Sequence, residues 1–191
     1  KKKKKDTTTQ DWFFMTGEIT GERGKYIKFN TNNAIASDTN VYPNTATTST
    51  VYSIGTDNAV NGSGSKYVAY CWSEIPGYSK FGSYTGNGSS DGTYVHLGFS
   101  PAFIMVKRAD STNMWLMMDN KRYSYNTHGV GLKANDSSAE FGWNPSKDFL
   151  SNGFKIRTSD SAENTNGGTY IYMAFAEQPG TTPFDTFPNA R

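Results

Sequence analysis

Two glutamates end closely similar segments: Glu74 closes "KYVAYCWSE" and Glu177 closes "TYIYMAFAE". A pair of carboxylates can cleave a glycosidic bond when about 5–10 Å separates them. These two occupy one position in separate copies of a segment, and equivalent positions of tandem domains stand further apart than that. The expected role is structural, a carboxylate at a strand end accepting a turn amide. Asp57 and Asp160 open the polar stretches "TDNAVNGSG" and "SDSAENTNGG". Their spacing is not that of a calcium-binding loop, and Asx turns account for the composition. His96 and His128, the two histidines, have no ligand or triad motif around them. His96 alternates with Val95 and Leu97 and is expected to face outward. Cys71 is the single cysteine, which excludes an internal disulfide and a cysteine zinc site. Within its apolar segment it reads as a small buried hydrophobe. No catalytic residue, metal site or cofactor is expected.

The elements that must position these residues are strands. The chain has 191 residues, 35% hydrophobic, 15% aromatic and only 19% charged, with 19 glycines. Aromatic and β-branched residues set among Gly, Ser, Thr and Asn describe an all-β protein rich in hairpins. The formal charge is +2, and residues 1–5 alone are five lysines. Without that run the chain is slightly acidic, so no basic face suits nucleic acid. The run is expected to be a solvated or artificial end. No apolar stretch approaches the ~18 residues of a membrane-spanning helix, so no membrane insertion is expected.

Sliding the chain on itself by 103 residues lays Trp12-Phe13-Phe14-Met15 on Trp115-Leu116-Met117-Met118. Asp57, Ala59, Asn61 and Gly64 fall on Asp160, Ala162, Asn164 and Gly167, and Glu74, Pro76 and Gly77 on Glu177, Pro179 and Gly180. Fourteen identities arise without a gap between residues 1–77 and 104–180, the signature of a tandem duplication. Residues 1–77 form a first copy, 78–180 a second and 181–191 a tail. The first copy lacks a counterpart of residues 78–103 and carries lysines where the second has Ile104-Met105-Val106. Lysines are poor substitutes for the core of a buried strand, so the chain is expected to start inside a larger protein.

In the second copy, residues 80–85, 93–97, 102–108, 114–119, 130–134, 153–157 and 169–177 read as strands between turn signals such as Asn87-Gly88 and Asp91-Gly92. Seven short strands in about 100 residues describe a β-sandwich of jelly-roll or lectin-like kind. The fold class is therefore all-β: two tandem antiparallel β-sandwich modules, the first incomplete. The repeated closing strand is apolar on both faces. Val68, Tyr70 and Trp72, matched by Ile171, Met173 and Phe175, form a bulky side suited to the core. Tyr67, Ala69 and Cys71, matched by Tyr170, Tyr172 and Ala174, form a smaller side suited to packing on a neighbouring module or subunit. A homo-oligomer is expected.

Aromatic positions shared by the copies, Trp12 with Trp115 and Trp72 with Phe175, are expected to build the common core. Trp143 falls on Asn40, and Tyr123 and Tyr125 fall on Thr20 and Glu22. Trp143 lies with Phe141 and Asn144 in "EFGWNPSKD", which reads as a turn-rich loop. Exposed rings among amides suit a sugar, the ring covering C–H faces while the amides take hydroxyls. Trp143, Phe141, Tyr123, Tyr125 and Asn144 are the candidate glycan-binding residues. The competing reading is that Trp143 plugs its loop onto its own module or a neighbouring subunit.

The stretches "YSKFGSYTGNGSSDGTYVHLGFSPAFIMVKRADSTNMWLMMDNKR", "FLSNGFKIRTS" and "GGTYIYMAFAEQPG" together resemble a recurrent module of bacteriophage virion proteins, common in marine phages including cyanophages. The resemblance covers the whole second copy and more weakly the first, where Thr50-Val51 replaces the Gly-Phe of the central hairpin. It implies a non-enzymatic tail-fibre, appendage or surface-decoration component, located in the virion and assembled in the host cytoplasm. The implied partners are copies of itself (a trimer if a fibre), other virion proteins and a host surface glycan. It also makes the final "PNAR" an expected natural end.

Overall fold

The computed structural model describes residues 2–4 and 10–177. The chain divides into two compact units, Lys1–Trp72 and Ser73–Arg191, with the boundary five residues before the one expected. The tail 181–191 lies outside the described residues.

The first unit is built on β1 (Lys2–Lys4), β2 (Phe13–Met15), α1 (Gly17–Thr20), β3 (Lys25–Lys28), β4 (Ala36–Ser37), α2 (Asn58–Asn61) and β5 (Tyr67–Ala69). Its antiparallel sheet has the order β4-β3-β2-β1-β5. The lysine segment β1 does serve as a strand, pairing with both β2 and β5, because ladder hydrogen bonds use backbone groups that every side chain leaves available. Phe13, Val41, Tyr42 and Val60 form the core. Both helices are single turns. Asp57 caps α2 by accepting the Ala59 amide at 2.6 Å, the local bond expected of an Asx residue at that position.

The second unit holds β6 (Ser79–Thr85), β7 (Tyr94–His96), β8 (Phe103–Arg108), β9 (Trp115–Asp119), β10 (His128–Lys133), β11 (Phe141–Leu150), β12 (Gly153–Ile156) and β13 (Thr169–Phe175). They order as β6-β13-β8-β9-β10-β11-β12-β7 in a nearly closed barrel. The sheet turns its corner at β10, which pairs with β9 through Leu132 and Lys133 and with β11 through His128, Val130 and Gly131. One core joins both ends of the strand order: Tyr84 of β6, Val95 of β7, Ile104 and Val106 of β8, Phe154 and Ile156 of β12, and Tyr170, Tyr172 and Ala174 of β13. Side chains span the remaining seam, with Thr93 Oγ1 donating to the Thr85 carbonyl at 2.7 Å and Lys80 Nζ to the His96 carbonyl at 3.0 Å. The curl brings chains close enough to require glycine: a Cβ at Gly82 would lie 2.7 Å from the Tyr172 hydroxyl, and one at Gly153 2.1 Å from the Val95 carbonyl.

Several expectations change. The segment read as a turn-rich loop, "EFGWNPSKD", belongs mostly to the ten-residue strand β11. Its pairing with β10 jumps from Val130↔Gly142 to His128↔Lys147. The unpaired residues between include Pro145, which has no amide hydrogen to give a ladder. The smaller side of the closing strand in the second unit, Tyr170, Tyr172 and Ala174, lines that unit's own core instead of an assembly surface. Ile171 and Met173 on the other side are buried as well, so β13 is covered on both faces as a central strand should be. In the first unit the bulky side is not core: Val68, Tyr70 and Trp72 are 38%, 51% and 47% exposed. Ala69 and Cys71 are exposed too. The ladder with β1 stops at Ala69, and residues beyond it leave the sheet. Trp115 is buried as expected, whereas its counterpart Trp12 is only partly covered.

Candidate functional site

Three places concentrate side chains capable of recognition or chemistry. The first is the β5 edge of the first unit. Tyr70 lies against Trp12 (centroids 6.0 Å apart) and stacks with Trp72 (6.3 Å, planes at 25°). Trp12 is held from beneath, its amide donating to Asn30 Oδ1 at 2.7 Å, while Asn30 Nδ2 donates to Asp11 and Lys28 pairs with Asp11 at 2.8 Å. Burial works against the Asp11 carboxylate, yet Lys28 and Asn30 hold its pKa below the ordinary value. Among the described residues β5 is the last strand of its sheet, and rings in a row beside such a strand form an apolar surface of the kind that packs on another element or subunit.

The second place is the turn after β9. Tyr123 and Tyr125 are 37% and 78% exposed. The turn is fixed from both ends. Asn126 Nδ2 donates to the Phe149 carbonyl and its Oδ1 accepts the Phe149 amide, both at 2.9 Å. Arg122 bridges Asp119 at 2.8 Å and Glu140 at 2.7 Å, which ties the turn to the residue preceding Phe141. Phe141 is half-buried, with Lys133 Nζ 5.9 Å from its ring centre. Tyr123 lies edge-on to His128, ring centres 6.3 Å apart, while Phe141 pairs with Gly131 further along β10. The side chains of Trp143 and Asn144 lie outside the described residues. His128, expected to be unremarkable, is buried against Phe149 with ring centres 4.0 Å apart. Its Nδ1 has no hydrogen-bond partner among the described residues. Burial, then the Lys147 charge, lowers its pKa. His96 faces outward, its Nδ1 3.2 Å from the Tyr94 hydroxyl.

The third place is inside the second unit. Lys147 and Glu163, 1% and 0% exposed, close an ion pair, and Ser146 Oγ donates to the other Glu163 oxygen. Lys147 also touches Met118 Sδ at 3.1 Å. The sequence carried no warning of it: Glu163 lies in a stretch that reads as a polar hairpin, and Lys147 in one that reads as a loop. The position equivalent to Glu163 in the first unit is Val60, equally buried. A pair so enclosed has no path to a substrate and acts as core.

The other candidates of the sequence have structural work. Glu74 accepts the Phe81 amide at 3.0 Å, and Glu177 pairs with Lys121. Asp160 accepts the Ala162 amide at 2.8 Å, the same bond that Asp57 makes. Among the described residues no group of three or more His, Cys, Asp or Glu side chains is placed to hold a metal ion, and no helix is long and apolar enough to cross a membrane.

These features define an all-β protein of two units, one a nearly closed barrel and the other an open sheet. The chain belongs to the family described as "Domain of unknown function (DUF7483)", whose profile matches residues 2–179 and so spans both units. No curated protein and no solved structure matches it.

Proposed function

We propose that the chain is a non-enzymatic structural component of a bacteriophage particle, a tail-fibre, appendage or surface-decoration module, that assembles through the β5 edge of its first unit. The observation that carries this reading is the row Val68, Tyr70 and Trp72, large side chains 38%, 51% and 47% exposed, in and just after the strand that ends its sheet among the described residues. Monomeric proteins blunt such edges with charge, proline or a covering element, and contiguous exposed apolar surface marks contact with another macromolecule. The partners are copies of the chain and other virion proteins, and its place is the virion, assembled in the host cytoplasm.

The reading includes a duplicated module of jelly-roll or lectin-like kind, its two sheets joined at β10. Hydrogen bonds that recur across the units support it. The amides of Asn61 and Asn164 donate to the carbonyls of Asp57 and Asp160 at 2.8 and 2.7 Å. The amides of Trp12 and Trp115 donate to the side chains of Asn30 and Asn135 at 2.7 and 2.8 Å.

Sedimentation of the purified chain tests the assembly reading. Concentration-dependent self-association that Trp72→Ala abolishes supports it, and a monomer at every concentration overturns it. A glycan-binding reading rests on the exposed pair Tyr123 and Tyr125 in the turn after β9 that Asn126 staples to Phe149. Glycan-array binding that falls on Tyr125→Ala supports that role, and an array without signal removes it.

A further inference from the structure

We infer that His128 is an acid-sensitive latch: protonation of its enclosed imidazole frees the turn after β9, residues 120–127, which carries Tyr123 and Tyr125. The inference rests on neither reading above, and it makes the exposed surface of that turn dependent on pH.

His128 begins β10, directly after the turn, and is 3% exposed. Its ring stacks on Phe149, centres 4.0 Å apart and planes at 28°, and Tyr123 meets it edge-on at 6.3 Å. Phe149 is also the residue whose amide and carbonyl Asn126 bonds. Ring and staple therefore fasten the turn to one residue of β11. The ladder beside them is irregular, since the pairing of β10 with β11 jumps between His128 and Val130. Few ladder bonds back this corner, so it can open without the rest of the sheet.

The closed turn is a poor place for a charged ring. An imidazolium has two N–H donors to satisfy, and Nδ1 is buried with no hydrogen-bond partner among the described residues. Lys147 stands directly opposite on β11 and repels the charge, although Glu163 pairs with it. Asp148 on β11 and Asp119 on β9 attract it, but Arg157 pairs with the first and Arg122 with the second. From the turn itself Tyr123 is the titratable group against the ring. Burial first and Lys147 second prevail, holding the His128 pKa below 6.5. A ring that swings into water takes its proton at the ordinary value of about 6.5. The open turn thus binds a proton that the closed turn refuses. The closed form is fully favoured above about pH 6.5 and loses favour as pH falls below it. From pH 7.5 to 5 the opening equilibrium rises by up to about thirtyfold.

The test follows hydrogen–deuterium exchange of the full chain at about pH 7.5 and pH 5, with rates corrected for the intrinsic effect of pH. Protection of residues 120–128 is expected to fall about tenfold or more at the lower pH, while β8 and β13 keep theirs. His128→Phe keeps a ring against Phe149 that cannot take a proton, and is expected to abolish the fall. His96→Gln, at the outward histidine, is expected to leave it intact. No fall, an equal fall in His128→Phe, its loss in His96→Gln, or a fall shared by β8 and β13 overturns the inference. Should His128→Phe not fold, NMR titration of the His128 ring in the unaltered chain decides. A midpoint below about 6.5 that coincides with loss of protection in the turn supports the latch, and any other result overturns it.

Discussion

Tyr67 and Tyr170, 103 positions apart, make the same two hydrogen bonds. The Tyr67 hydroxyl donates to the Asn58 carbonyl and accepts the Gly62 amide, both at 2.6 Å. The Tyr170 hydroxyl donates to the Ser161 carbonyl and accepts the Thr165 amide, both at 2.8 Å. Each tyrosine thereby ties the start of a closing strand to the turn before it. Tyr170 is fully buried, so Tyr170→Phe leaves an amide and a carbonyl without partners and should cost about 1–3 kcal/mol. Tyr67→Phe, at a position partly open to water, should cost about half as much. Urea unfolding followed by near-UV circular dichroism measures both.

The Lys147–Glu163 pair yields a second expectation. Lys147→Met or Glu163→Val alone leaves one buried charge and should destabilise by about 3–5 kcal/mol. The double variant should recover most of that loss, since the first unit packs Val60 at the position of Glu163. A double variant no more stable than the worse single one would show that the pair contributes more than mutual neutralisation. Denaturant midpoints of the four proteins give the answer.

Lys107 is fully buried, its Nζ donating to the Arg108 and Ser111 carbonyls. Burial pushes its pKa down to about 8, although Asp110 opposes the shift. Above that value the folded chain holds fewer protons than the unfolded chain, whose lysine releases its proton near 10.5. Stability therefore rises with pH from about 8, by about 1–2 kcal/mol up to pH 9.5. Above about pH 10 the trend reverses, because burial raises the phenols of Tyr84 and Tyr172, the latter to about 12. The rise should vanish in Lys107→Met. Urea midpoints between pH 7.5 and 9.5 test it.

Exposure at the β5 edge gives the fourth expectation. The Cys71 thiol should react with a disulfide reagent in the native monomer, within about tenfold of the unfolded rate. Acrylamide should quench Trp72 and spare Trp115, so Trp72→Phe lowers the quenchable fraction and Trp115→Phe leaves it unchanged. Slow thiol reaction together with unquenchable Trp72 would mean that the edge is covered in solution.

Much of this fold was legible from residue alternation. All seven strands expected in the second unit lie within two residues of their observed limits, because each runs between Gly, Asn or Ser turns. The outward His96 between Val95 and Leu97 followed from the same period of two. Phe141–Leu150 escaped because Gly, Asn, Pro and Asp interrupt its alternation, and its strand geometry comes from neighbours on both sides. The exposure of Cys71, Tyr70 and Trp72 escaped for the converse reason: their sequence specifies a central strand, and only the tertiary arrangement leaves it terminal. At the candidate sites, sequence comparison singled out the unmatched Tyr123 and Tyr125. Glu163 stayed hidden because a buried carboxylate and a turn carboxylate are written with the same letter.

The barrel of the second unit has its opening and closing strands side by side: Ser79 pairs with Phe175 and Thr85 with Thr169. A ribosome releasing this chain delivers β6 long before its mate. Until Thr169–Phe175 clears the exit tunnel, one flank of β6 has no ladder and its apolar side chains no lid. Loop-closure entropy makes so distant a pairing slow. Nascent copies crowded on one message would offer one another the very edges they await.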